Sequence, residues 1–234
     1  MKAMKINILL CDKFEGRLPH FLNTYQETYF HMFDTVQPGL EYEIFSVQDG
    51  ELPQSFSSDE LYLISGSRAG AYEDLPWIKE LILFIQKAHK AEARMIGVCF
   101  GHQVIAQALG GKVVNPQKGW RTGIHTSRII LPEALKYFPD GTMSLHYNHN
   151  DQVIELPEEA SAFATSDFCM YEGFVIGKHI LTFQGHPEYT SEYNRHCILH
   201  NNPDEPENIK VAALHTLDTM KAQGKEAAQW MLNL

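Results

Sequence analysis

Residues Ala93 to Gly111 read ARMIGVCFGHQVIAQALGG, and this stretch decides the fold. A short apolar run, Met95 to Val98, predicts a strand. His102 to Leu109 predicts a helix, stopped by Gly110-Gly111. Between them, Gly97-Val98-Cys99-Phe100-Gly101 leaves room only for an abrupt turn. Strand, sharp turn, helix is the setting of a nucleophile elbow. Gly97 and Gly101 flank the cysteine because a Cβ would obstruct the crowded backbones of such a turn. Cys99 then stands at a helix N-terminus, where peptide dipoles favour negative charge. A buried cysteine is more commonly a small hydrophobe, so the elbow needs a partner motif before it implies chemistry.

On the N-terminal side, strands and helices alternate. Lys5 to Cys11 (KINILLC) is a continuous apolar run, as expected of a strand buried on both faces. Pro19 opens an expected helix to about Met32. Glu41 to Val47 and Leu61 to Ile64 read as further strands, the second ending in Ser65-Gly66-Ser67-Arg68. Leu75 to Lys90 has helical periodicity, with Pro76 where a first-turn proline is tolerated. Alternation of this kind predicts an α/β fold: a mixed, mainly parallel central sheet with helices on both faces. Ligands in such sheets bind at the carboxyl ends of the strands, where the Ser65 loop and Cys99 both fall.

After Gly111 the texture changes. Lys112–Val114, His125–Leu131, Thr142–His146, Ala162–Thr165, Glu172–Ile176 and His179–Phe183 are short and strand-like, separated by Gly, Pro, Asn and Asp. They predict a small antiparallel extension on the parallel core. From about 190 to 234 the chain reads helical, broken at Asn201-Asn202-Pro203 and resumed from about Glu207. With no repeat, linker or low-complexity segment, the expectation is a single domain over 1–234.

Composition narrows the function. The 234 residues are 44% hydrophobic, enough for one sizeable core, and the formal charge is -10. An acidic chain without a basic run is a poor partner for a phosphate backbone, so no nucleic acid is expected. Cys11, Cys99, Cys169 and Cys197 form no CxxC pair, which argues against a zinc ribbon or a dithiol motif. The N-terminus has no signal-peptide pattern, and no run of about 18 apolar residues could span a bilayer. The expectation is a soluble, reduced, cytoplasmic protein without a membrane partner.

A catalytic cysteine needs a base, and 12 histidines compete for the role. One stands out by its context. Phe183-Gln184-Gly185-His186-Pro187-Glu188-Tyr189 follows a predicted strand, and Pro187 pins a turn between a histidine and a carboxylate. A carboxylate two residues on can reach the imidazole and fix its tautomer, leaving the other nitrogen for a thiol. By itself this also suits a surface turn. Alongside GVCFG it reads as the rest of a nucleophile–base–carboxylate set.

The two motifs together resemble class I glutamine amidotransferases of the triad type, which share a GxCxGxQ elbow and a downstream HPE turn; the resemblance covers about residues 60 to 190. It implies a flavodoxin-like mixed sheet, with Cys99 as nucleophile, His186 as general base and acid, and Glu188 as its orienter. Leu63-Ile64-Ser65-Gly66-Ser67 resembles the family's oxyanion loop, with Gly66 or Ser67 offering one N–H and Phe100 the other. Ser67 stands where many relatives have glycine. His146-Tyr147-Asn148-His149-Asn150-Asp151 resembles the stretch that holds the amino-acid end of glutamine, which implicates Asn148, Asn150 and Asp151, with Gln103 beside them. Gln103 also suits a solvated first helical turn, and Asn150 replaces a frequent glycine. His146, His149 and His186 could form a zinc set, but the family match argues against it and no cysteine or carboxylate sits at ligand spacing beside them. Tyr72, Trp77 and Trp120 read as core or rim.

The resemblance implies attack of a thiolate on a γ-glutamyl carbonyl, with glutamate released from a thioester and no cofactor or metal. No P-loop or synthetase segment is present. Gly66-Ser67-Arg68-Ala69-Gly70-Ala71-Tyr72 and Lys118-Gly119-Trp120 resemble the stand-alone, guanylate-synthase-like branch, which includes γ-glutamyl peptidases. A stand-alone γ-glutamyl hydrolase acting on a small molecule is therefore the leading expectation. The alternatives are a glutaminase subunit feeding ammonia to a separate synthetase, and a catalytically idle regulatory member. A related group of cysteine-elbow peptidases and stress proteins lacks this HPE pairing. The substrate and oligomeric state are not legible.

Overall fold

The computed structural model describes residues 4–14, 16–202 and 204–234. The strands are β1 (Lys5–Leu10), β2 (Glu41–Ser46), β3 (Glu60–Ile64), β4 (Arg94–Val98), β5 (Lys112–Val114), β6 (Arg121–Ile129), β7 (Thr142–His149), β8 (Gln152–Glu155), β9 (Ala160–Thr165), β10 (Gly173–Ile176) and β11 (Ile180–Phe183). The helices are α1 (Glu27–Asp34), α2 (Pro76–Lys90), α3 (Phe100–Ala108), α4 (Ser191–His196), α5 (Glu207–Thr219) and α6 (Gly224–Leu232). Nine strands form one sheet in the order β2-β1-β3-β4-β11-β10-β9-β6-β7, and β5 pairs with β8 in a separate ribbon.

From β2 through β11 the neighbours pair in parallel; from β11 to β7 they pair antiparallel. The fold is thus the expected α/β class with a mixed sheet. The antiparallel strands mostly continue the central sheet rather than packing on it. Only the short β5–β8 ribbon stands apart, and β8 carried too little alternation to be predicted.

Period-two alternation divides two cores between the faces. Ile96 and Val98 of β4 join Ile6 and Ile8 under Tyr29, Phe33, Trp230 and Met231, so α1 and α6 cover one face. Met95 joins Leu9 and Tyr62 under Ile85, Val104 and Ile105, so α2 and α3 cover the other. Helix α5 lies against β6, where a Cβ on Gly123 would meet the Cα of Ala213 at 2.9 Å. Among the described residues no helix is long and apolar enough to cross a membrane.

Two helical expectations are corrected. The segment after Pro19 is a run of turns, and α1 begins only at Glu27. Thr24 Oγ1 donates to Glu27 Oε1, which favours a start there. The C-terminal helical stretch is interrupted twice. A π-helical turn, Cys197–Asn201, ends the first part, and an extended Met220 separates α5 from α6. Pro203, part of the expected break, lies outside the described residues.

Candidate active site

The elbow forms as its sequence predicts. Cys99 follows β4 and caps α3 with φ 53° and ψ −103°, a conformation few side chains adopt. The flanking glycines are forced by space. A Cβ on Gly97 would lie 2.6 Å from the carbonyl oxygen of Gly101, and one on Gly101 only 2.1 Å from that of Ile64. Cys99 N–H donates to the carbonyl of Phe183 at 2.8 Å, which ties the elbow to the end of β11. Since β4 and β11 are paired neighbours, the segment carrying His186 leaves the sheet beside the thiol.

His186 N–H donates to the carbonyl of His146 at 2.7 Å, which fixes the turn's backbone. Its Nδ1–H donates to Glu188 Oε1 at 2.8 Å, and both side chains are buried. The other edge of the ring faces Cys99. A Cβ on Gly66 would sit 3.1 Å from His186 Cε1 and 3.8 Å from the Cys99 Cβ, so thiol and imidazole converge over that glycine. Burial works against a charged imidazole here. The negative charge of Glu188, then Cys99, outweighs it and raises His186 to about 10. Tyr189 stacks on the ring, with centroids 4.0 Å apart.

Tyr25, from the turn region before α1, donates its hydroxyl to Glu188 Oε1 at 2.8 Å. One carboxylate oxygen therefore accepts from both phenol and imidazole. Phe14 stacks on Tyr25 with centroids 3.7 Å apart. No motif marked Tyr25, because it meets the site only through tertiary packing.

The remaining expected residues line the same cavity, of about 340 Å³: Gly66, Ser67, Gln103, Asn148, Asn150 and Asp151, with Cys99 and His186. Phe100 begins α3 directly after Cys99, its ring buried against Trp77. In the Ser65 loop, the N–H of Arg68 goes to Asp12 and that of Ala69 to Ser67 Oγ. The Gly66 and Ser67 amides remain as the loop's candidates beside the thiol. Gln103 Nε2 donates to the carbonyl of Asp151 at 3.1 Å and to Gln184 Oε1 at 3.2 Å, so it braces the far wall. His149, held near 3 by burial and hence neutral, donates from Nδ1 to the same carbonyl at 2.9 Å.

Sequence reading also missed Asn202, which donates to Asn148 Oδ1 at 2.7 Å and to Glu205 Oε2 at 3.1 Å. Glu205 in turn accepts from Thr122, the β6 partner of Asn148. In the sequence, Asn202 reads only as part of a helix break. Asp12, Arg17 and Arg68 also line the cavity and were not singled out as site residues. Trp120 lies on its rim, whereas Tyr72 is half exposed outside it.

A model of the glutamine amidotransferase class-I family matches residues 22–206. The chain belongs to that family. The elbow and the HPE turn both lie within the matched residues. Among curated relatives, it is 34% identical over 204 residues to gamma-glutamyl peptidase 3 of Arabidopsis thaliana, spanning 83% of this chain and 80% of that one. It is 36% identical over 172 residues to gamma-glutamyl peptidase 2 of the same plant, spanning 70% and 69%. A glutamine amidotransferase from Thermotoga maritima shares the fold with TM-score 0.73 at 19% identity, over 100% of this chain and 96% of that one. Another, from Methylobacillus flagellatus, gives TM-score 0.74 at 19% identity, over 99% and 95%.

Proposed function

We propose that the protein hydrolyses a γ-glutamyl amide through a thioester on Cys99. The observation that carries this reading is the buried His186–Glu188 pair facing a cysteine on a strained elbow, inside a cavity of ligand size. The gamma-glutamyl peptidase relatives support the substrate class. Nδ1 is committed to Glu188, and with its pKa raised to about 10 His186 already holds the proton on Nε2 at neutral pH, so the sulfur attacks the side-chain carbonyl carbon as the partner of an imidazolium. The oxyanion is met by the N–H of Phe100 and by that of Gly66 or Ser67. The C–N bond breaks as Nε2 returns the proton to the leaving nitrogen. Water then adds to the thioester, gives its proton to His186, and the C–S bond breaks to free glutamate and the thiol. Asn148, Asn150, Asp151 and Gln103 hold the amino-acid end.

The test is covalent labelling. A chloroketone analogue of glutamine should add once to Cys99, and Cys99→Ala should lose both the adduct and glutamate release. Turnover that survives in Cys99→Ala would end the proposal. A required second protein, with activity only on mixing, would replace it with an ammonia-supplying subunit.

A further inference from the structure

The segment that follows α4 reaches the cavity, and the chemistry above makes no use of it. Cys197–Asn201 is a π-helical turn, one residue wider than an α-helical turn. The extra residue rotates Asn202 back toward the face that carries Cys197, and both line the cavity together with Asn148. Asn202 is 4% exposed, and so is Glu205 behind it. The Asn202 NH2 is fully spent, on Glu205 Oε2 at 3.1 Å and on Asn148 Oδ1 at 2.7 Å. The other Glu205 oxygen accepts from the hydroxyl of Thr122, which pairs with Asn148 across β6 and β7.

An amide can turn either end to its neighbours, and its direction is fixed only by a partner that cannot reverse. Glu205 is such a partner, because a carboxylate only accepts. It obliges Asn202 to point its NH2 inward, and Asn202 in turn takes up the oxygen of Asn148. The NH2 of Asn148 is therefore the end left for a ligand. Accepting at its oxygen also makes that NH2 a better donor, since linked hydrogen bonds polarise one another. Gln103 is locked the opposite way. The backbone carbonyl of Asp151 and Gln184 Oε1 both accept from its NH2, so its oxygen is the end left over. Of these two amides on the cavity wall, Asn148 is the donor and Gln103 the acceptor.

We propose that Glu205 and Asn202 are positioning residues that hold Asn148 with its NH2 toward the cavity, where it donates to the α-carboxylate of the γ-glutamyl group. This rests on the hydrolytic reading above and adds to it how the amino-acid end is oriented. An amide NH2 on a carboxylate makes a charge-assisted bond, whereas the reversed amide would set oxygen against oxygen. A substrate whose α-carboxylate is masked as a carboxamide keeps an acceptor oxygen but loses the charge. Selection for a free α-carboxylate is thus set by Glu205, which acts on the substrate only through two amides in series. The chain acts through binding and makes no contact with the reacting atoms.

The experiment compares three chromogenic substrates: γ-glutamyl-4-nitroanilide, its α-carboxamide, and the analogue that lacks the α-amine. The wild type should favour the parent over the carboxamide by about tenfold or more in kcat/KM, the worth of one charged hydrogen bond. Glu205→Gln and Asn202→Ala each free the Asn148 amide to turn, and should shrink that ratio by about two- to tenfold through KM. The ratio of the parent to the amine-less analogue should stay within about twofold in both. Asn148→Asp keeps the oxygen that Asn202 needs and replaces the NH2 with a second oxygen. It should reverse the preference, because a carboxamide can donate where a carboxylate is repelled, and it keeps the test intact if either other variant fails to fold. A wild type without the preference, or an Asn148→Asp enzyme that retains it, overturns the proposal. So do equal losses on all three substrates in Glu205→Gln and Asn202→Ala, the mark of a merely structural brace. A change confined to the amine-less ratio also overturns it, by assigning Asn148 to the ammonium end. A wild type that leaves the nitroanilide intact, or turnover that survives in Cys99→Ala, would instead strike the hydrolytic reading.

Discussion

Tyr25→Phe removes a single oxygen from the most buried part of the site. The ring stays stacked on Phe14, so packing is kept and only the 2.8 Å bond to Glu188 is lost. A hydrogen bond to a charged group is worth about 1.5–3 kcal/mol. For a domain of this size, that lowers the melting temperature by roughly 3–12 °C. The second effect is electrical. Glu188 Oε1 shares its charge between Tyr25 and His186. Without the phenol, more of the charge falls on the imidazolium, and the pKa of His186, already raised to about 10, moves further up. Cys99 and the neutral His146 face the same ring and are unchanged, as are Tyr29, Tyr189 and Tyr193 around the carboxylate. The alkaline limb of the kcat profile should therefore shift to higher pH, while kcat at neutral pH falls several-fold as the imidazole loosens. Thermal melts and a pH–rate profile measure the two parts. An unchanged alkaline limb with a normal melt would refute the shared-oxygen argument.

Stability should itself depend on pH through His186. Its folded-state pKa lies above the ordinary 6.5, so its contribution is fully present below about 6.5 and is lost as pH rises to about 10; urea titrations across that window should show the decline, and a His186→Gln variant should flatten it. Asn202→Ala removes the neutral donor that fixes Asn148 and should raise KM by about two- to tenfold with kcat nearly kept, whereas a loss confined to kcat in steady-state kinetics would contradict the positioning role. Glu188→Gln should lose less activity than His186→Ala, because it orients and charges the base without moving the proton; the reverse order would mean the roles are misassigned.

The parallel half was legible because buried strands and amphipathic helices print their periods directly. So was the elbow, because its two glycines answer a steric demand visible at 2.6 and 2.1 Å. Cys99, His186 and Glu188 could be paired from the sequence because each sits in a compact motif. Tyr25 could not, since its approach to Glu188 depends on the chain after Pro19 failing to become a helix. Asn202 and the Asp12–Arg17–Arg68 group were hidden for the same reason: they come from separate loops that meet only beyond the ends of the strands. The mixed sheet and a small antiparallel extension were legible, but short alternating strands do not reveal which of them join the central sheet and which, like β5 and β8, stand apart.

The insertion of β11 between β4 and β10 has a consequence for biosynthesis. The elbow is translated early and could form with β1, β3 and β4 alone. His186 arrives just after a strand that must slot in beside the elbow once the antiparallel half has been made. Long-range pairings of this kind close slowly. A half-made chain therefore exposes Cys99 without His186, and on the proposed mechanism the thiol gains its partner only as the sheet is zipped shut around it.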